Sequence, residues 1–190
     1  MLQRPSMEEH GIVLDSMPYG KSADARKEPL AQLIGIDNFT LLEVVPKPGA
    51  QLSVGEKVFI GKGDRDKIDH IRGRVSYFEL TSAAKAELER ALRTIIDSRE
   101  AEFIAFFNKC GPVTIRLHQL ELLPGVGKKH MLDILAQREK KPFESFKDLS
   151  TRVTLLPDPH KLIVERILEE LKGESKYYIM TRPPYQPRPY

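Results

Sequence analysis

A chain of 190 residues, 41% apolar and 30% charged, has enough apolar material to bury a core in one or two domains, and it holds no run of about 18 apolar residues that would span a bilayer. Its single cysteine, Cys110, excludes an internal disulfide and a cysteine-rich zinc site; the start Met1-Leu2-Gln3-Arg4-Pro5 lacks a signal-peptide core, so the expected compartment is the cytoplasm. The net charge of +3 is uneven, with 14 Lys/Arg against 10 Asp/Glu over residues 111–190 and 16 against 17 before them, a weak pointer to a polyanionic partner of the C-terminal half.

The N-terminal third reads as strands. Gly11–Asp15, Leu30–Ile36, Phe39–Val45, Lys57–Gly61 and Ile68–Tyr77 are short and rich in Val, Ile, Leu and Phe, with turn residues between them at Asp37-Asn38, Pro46-Lys47-Pro48-Gly49 and Gly61-Lys62-Gly63-Asp64. Five such strands predict a small closed barrel, with Gly20–Pro29 as a polar first loop. The basic segment Lys62, Arg65, Lys67, Arg72 and Arg74 has two open readings, a nucleic-acid groove on that barrel or a solvated hairpin tip with internal ion pairs. Tyr19 and Tyr77 are candidate stacking platforms, whereas Phe39 and Phe59 alternate with polar neighbours and are expected to face the core.

From Ser82 the period changes. Leu88, Ala91, Leu92, Ile95 and Ile96 mark one face of a helix to about Ile96, and Phe103, Phe106, Phe107 and Cys110 the buried stripe of a second helix, capped by Asp97 or Ser98 and stopped by Gly111-Pro112.

Leu123-Pro124-Gly125-Val126-Gly127-Lys128-Lys129 follows, between two apolar segments of helical period. Two glycines permit a tight turn, and the helix that begins there presents unpaired amides and its positive end, which suits a phosphate and cannot read a base edge. The predicted contacts are the amides of Gly125, Val126 and Gly127 with Lys128 and Lys129. His130, on the first helical turn, either touches phosphate or is an exposed helix histidine. Leu156-Pro157-Asp158-Pro159-His160-Lys161-Leu162, 33 residues later, is a second copy without the glycines, in which Asp158 reads as an N-cap; it is expected to be structural, with Phe143, Phe146 and Leu149 in the spacer between them.

At Leu123–Gly127 and Lys129 the sequence resembles the helix-hairpin-helix family, departing from it at Met131, where that family usually has Ala. The resemblance implies sequence-independent DNA or RNA binding, with hairpin amides on phosphate oxygens. Together with Gly11–Gly20 and Gly55–Gly61, the hairpin carries a near full-length resemblance to a family of archaeal, functionally uncharacterised proteins predicted to bind nucleic acid. That family implies an α+β chain: an OB-like β-barrel over 1–80, connecting helices over 81–111, a tandem helix-hairpin-helix domain over 112–173 and a Pro/Tyr-rich tail over 174–190.

Tyrosines interleaved with cations in that tail suit either stacking on unpaired bases or an extended segment that contacts a partner. Catalysis is not expected. Lys140 or Lys141 followed by Asp148 imitates the order found in some DNA glycosylases, but Pro142–Leu149 matches the structural spacer. The five histidines lack metal spacing, and no cofactor is expected. The expected partner is nucleic acid, RNA in preference to DNA on the OB-like resemblance, with no membrane. The competing reading is a protein-interaction module that docks a ribosomal or repair protein.

Overall fold

Short apolar runs set between turn residues form five strands: β1 (His10–Met17), β2 (Leu30–Gly35), β3 (Leu41–Pro46), β4 (Lys57–Phe59) and β5 (Ile68–Arg74). The computed structural model describes residues 7–21 and 28–183; Ser22–Lys27 of the first loop and Pro184–Tyr190 of the tail lie outside them. The strands pair antiparallel in the order β4-β1-β2-β3-β5, in which β4 returns beside β1 as in a Greek key. The result is a curled half-barrel rather than the expected closed barrel. β4 is three residues long, the amides of Ile60 and Gly61 that follow both donate to Glu9 O beside β1, and no ladder joins β4 to β5 among the described residues.

The chain divides into two compact units, one running to Ala91 and resuming at Glu170, the other spanning Leu92–Glu169. In the strand unit Val13, Ala31, Leu33, Val44, Val58, Ile60 and Ile68 form one cluster on the inside of the curl. β2 is buried along its whole length, so its one polar side chain needs partners. Gln32 Nε2 donates to Glu43 Oε1 at 2.9 Å and to Glu79 O at 3.1 Å, and its Oε1 accepts from Thr81 N at 2.8 Å. That amide ties a short 3-10 turn, Tyr77–Glu79, and the start of helix α1 (Ser82–Ser98) to the outer face of the sheet.

Phe39 is core-facing as expected, fully buried, but it lies outside β3 with φ at 59°, a conformation unfavourable for a side-chain-bearing residue. The carboxylate of Glu8, itself buried, holds that turn by accepting from the amides of Asp37 (2.8 Å), Asn38 (3.0 Å) and Thr40 (2.9 Å). Phe59 is only half-buried, edge-on to the His10 ring at 5.4 Å.

The predicted face of α1 is buried at Leu88, Ala91, Leu92, Ile95 and Ile96. Helix α2 (Glu100–Lys109) buries Phe103, Phe106 and Phe107, with Cys110 at its end. Its N-cap is Arg99 and not Asp97 or Ser98: α1 continues through Ser98, whose hydroxyl donates back to Ile95 O instead of accepting from the next helix. Beyond it come a small hairpin that the periodicity did not reveal, β6 (Pro112–Thr114) and β7 (Leu117–His118), a 3-10 helix (Gln119–Leu122), and helices α3 (Lys128–Lys140), α4 (Phe146–Arg152) and α5 (Pro159–Lys172). The expected spacer therefore contains a helix, α4, started by Ser145 Oγ accepting from Asp148 N at 3.0 Å. Among the described residues no helix is long and apolar enough to cross a membrane.

Arg138 of α3 donates to Phe107 O at 3.0 Å and Cys110 O at 2.9 Å, satisfying carbonyls at the end of α2. Burial pushes the Cys110 thiol up to about 11, against a smaller lowering by Arg138. The native protein should therefore resist alkylation at pH 8 and react at least about a hundredfold faster once unfolded, since the thiolate is the nucleophile; thiol labelling with and without denaturant measures this.

Candidate functional site

The 3-10 helix Gln119–Leu122 leads directly into Leu123-Pro124-Gly125-Val126. His118 starts that helix, its Nδ1 accepting from Leu120 N at 3.1 Å; burial first, and the charge of Arg138 second, hold the ring below the usual histidine range, consistent with a neutral acceptor. The four-residue 3-10 helix replaces the apolar α-helix expected before the turn, because β6 and β7 occupy the residues that would have formed it.

Val126 N donates to Leu123 O at 3.0 Å, closing a turn with Pro124 and Gly125 at its centre and Gly125 at φ 80°. Proline followed by a residue of positive φ is the requirement of a type II turn. Val126 itself is buried. Its amide is therefore spent within the turn, and the expected role of Val126 as a phosphate donor is corrected: the turn that shapes the site consumes it.

Gly127 is the N-cap of α3, at φ −94° and ψ −179°, extended backbone that any residue adopts. Its carbonyl accepts from Met131 N at 3.0 Å, and no side chain caps the helix. The amides of Gly127, Lys128, Lys129 and His130 have no acceptor among the described residues, and Gly125, Gly127, Lys128 and Lys129 are exposed while His130 is half-buried. A Cβ built on Gly127 would meet no atom within 4 Å, so glycine is needed there neither for conformation nor for packing. The first turn of α3 contains no acidic residue and begins with two lysines. Cations at that end oppose the helix dipole, at about 0.3–1 kcal/mol each.

The second turn differs in kind. Asp158 Oδ1 accepts from His160 N at 3.1 Å, and Asp158 O from Leu162 N at 3.0 Å, so α5 is capped from within, as expected. The equivalence of the two turns is closer to 30 residues than to the predicted 33. Leu123 ends the 3-10 helix and Val153 ends α4; two residues after each comes positive φ, at Gly125 and at Leu155 (64°); the second turn then has one residue more before its cap. Leu155 is 83% exposed in a conformation that costs a side-chain-bearing residue about 1–2 kcal/mol. The turns lie side by side, since a Cβ on Gly125 would sit 3.6 Å from Pro157 Cγ and 3.9 Å from Leu162 Cδ2.

One positioning residue escaped the sequence reading. Arg166, 5% exposed on α5, donates to Leu122 O at 3.0 Å and pairs with Glu169 Oε2 at 3.4 Å, holding the carbonyl that immediately precedes the turn. Its signal was available: a charged residue on the apolar face marked by Ile163 and Ile167.

The basic segment lies in the strand unit, where Arg65 and Lys67 are engaged internally. Arg65 donates from Nε to Gly61 O at 2.9 Å, and Lys67 pairs with Glu56 Oε1 at 2.5 Å. The Lys67 hydrogen bond, with one from Ser53 N, holds the Glu56 carboxyl below the usual range. Lys62, Arg72 and Arg74 are exposed, the latter two on edge strand β5 around the bulge where Glu43 and Val44 of β3 oppose Gly73 and Ile71. Lys141 pairs with Glu144 at 2.8 Å, and Asp148 with Arg152 at 3.1 Å.

A family model described as protein of unknown function, DUF655, matches residues 7–182. An uncharacterised protein of Methanocaldococcus jannaschii, MJ0038, is 44% identical over 177 residues, 92% of this chain and 80% of that protein. The crystal structure of Af1531 from Archaeoglobus fulgidus superposes with a TM-score of 0.86 at 48% identity, covering 92% of this chain and all of that one.

Proposed function

From the premise that this chain belongs to the DUF655 family of proteins of unknown function, we propose that it binds nucleic acid through the Gly125–Lys129 turn, without turnover and largely without regard to base sequence. The start of α3 carries this reading. A helix of 13 residues opens with unpaired amides, no cap, no acidic residue and two exposed lysines. That arrangement is unfavourable in isolation and favourable around an anion. Phosphate contacts of this kind position a strand without specifying its bases.

On this reading the turn is a helix-hairpin-helix whose leading helix is reduced to a 3-10 turn, and Val153–Asp158 is the second, internally capped copy. The half-barrel, with its Greek-key order, is OB-like and left open at β4 and β5; the OB-like resemblance favours RNA over DNA as the ligand, and the single cysteine, Cys110, suits a cytoplasmic setting. A second reading, docking of a ribosomal or repair protein, draws on the exposed apolar side chains Ile115, Leu132 and Leu155 of the same unit.

Filter binding of single-stranded and duplex RNA and DNA at a series of salt concentrations tests the proposal. If three or four phosphates are neutralised, the log–log slope of affinity on salt is expected at about −2 to −4. Lys128→Glu with Lys129→Glu should abolish retention while leaving the circular dichroism spectrum unchanged. Retention unaffected by that pair would move the reading to protein docking.

A further inference from the structure

The strand unit carries an exposed aromatic group beside a tyrosine with two lysines over its ring. Phe78, in the 3-10 turn Tyr77–Glu79, is 68% exposed, and its ring stands edge-on to Tyr77 at 5.7 Å and 89°. Over that same tyrosine ring lie two ammonium groups, Lys85 Nζ at 5.4 Å and Lys172 Nζ at 5.5 Å. Lys85 also donates to Phe78 O at 3.4 Å. Neither lysine has a carboxylate partner among the described residues, so the tyrosine face concentrates positive charge beside the phenylalanine. The nearest acidic side chain in sequence, Glu79, is engaged in accepting from Ser76 N at 2.7 Å, a bond that holds its carboxyl below the usual range.

A cleft begins one residue away. Arg74 and Arg182 line it together with Ser76 and Leu171, the immediate chain neighbours of Tyr77 and Lys172. Arg74, among the predicted site residues, is exposed there without an ion-pair partner among the described residues. An exposed ring that buries little in the fold, edge-on to a tyrosine with two lysines over its ring and near a cleft lined by Arg74, has the two components of single-strand binding: a π face for a base and charge for its phosphates.

We propose that Phe78 is a stacking platform for an unpaired base of a single-stranded nucleic acid, with Lys85, Lys172 and Arg74 receiving the flanking phosphates. This deepens the nucleic-acid reading and rests on it, but it is carried by different residues on the other compact unit. It gives the ligand a feature that the hairpin turn cannot read, an unstacked base.

Fluorescence anisotropy with labelled U12 RNA and with an abasic strand of equal length and charge tests it. Phe78→Ala, which removes an exposed ring and leaves the core intact, should weaken U12 binding about tenfold and leave the abasic strand unchanged. Lys128→Glu with Lys129→Glu should weaken both strands. Phe78→Trp should restore U12 affinity, and because the chain has no tryptophan the new indole is a sole reporter, quenched by U12 and not by the abasic strand. U12 affinity unaltered in Phe78→Ala, or equal loss on both strands, overturns the stacking site while the hairpin reading stands. No binding of either strand by the unaltered protein overturns both. Self-association of the unaltered protein that Phe78→Ala abolishes assigns the patch to a second copy and also overturns the proposal.

Discussion

Gly127→Asp is expected to make the protein more stable and, at the same time, a poorer ligand for polyanions. The backbone at Gly127 is extended, a side chain there meets no atom within 4 Å, and the helix it caps has no side-chain cap. An aspartate would accept from the Lys129 or His130 amide, as Asp158 does from His160 N at the head of α5, and would oppose the two lysines against the helix dipole. The combined gain is about 0.5–1 kcal/mol. The same carboxylate would occupy the amides proposed to bind phosphate and repel it, so affinity for RNA should fall at least tenfold, about 1.4 kcal/mol. Thermal unfolding and filter binding on one preparation measure both effects. Unchanged affinity in a stabilised variant would falsify the assignment of these amides as ligands. Gly127→Ala separates the causes, since it adds neither a cap nor a charge.

The largest loss of stability is expected from Glu170→Ala. This glutamate is fully buried, and its carboxylate accepts from the amides of Ile179 (2.8 Å), Met180 (3.0 Å) and Thr181 (2.6 Å). Those bonds fold the chain after α5 back and bury Met180 completely. Truncation leaves three amides without an acceptor, at about 1–3 kcal/mol for each that stays buried. A total loss of about 3 kcal/mol or more is expected, read as a lower urea midpoint, with loss of hydrogen-exchange protection at residues 179–181. Glu170→Gln should recover part of it, because one amide oxygen still accepts while the NH2 group confronts a donor. A near-neutral Glu170→Ala would mean that water takes the place of the carboxylate, and that the segment adds little to the strand unit.

Two different logics thus govern the acidic residues of this chain. Glu8 and Glu170 are buried and saturated by amides, so each fixes one backbone path. At the start of α3 the acidic group that would complete the same geometry is missing, and the amides face outward. Asp158 shows that the chain has the residue available for the purpose and uses it one turn away. The contrast between the two helix starts, more than the glycines, separates a structural turn from one suited to an anion.

Much of this was legible in local pattern. The five strands, the apolar face of α1, the aromatic stripe of α2 and the Asp158 cap follow from side-chain spacing and from the chemistry of turns, which neighbouring residues settle among themselves. Closure of the barrel was not legible, because it depends on whether β4 and β5 pair, and the composition of two short strands does not state their partners. The β6–β7 hairpin was hidden for a related reason: Thr114 and Leu117 flank Ile115 and Arg116 rather than the glycine or asparagine that marks a tight hairpin. The second turn was placed three residues late because Leu156-Pro157 imitates Leu123-Pro124 in letters, while the residue that takes positive φ is Leu155, a type that gives no sign of it.

By itself the sequence determined the five strands of the first unit and helices α1, α2, α3 and α5, and that one turn ahead of a helix is rich in glycine and lysine, since these depend on neighbours in the chain. Only the tertiary structure decided that the amides of Gly127–His130 meet no acceptor among the described residues, and that Phe78 stands exposed beside a tyrosine with Lys85 and Lys172 over its ring. Exposure and the absence of a partner are set by residues distant in sequence, and no local pattern of letters encodes them; the Val126 N bond to Leu123 O is local, and Pro124-Gly125 was its signal.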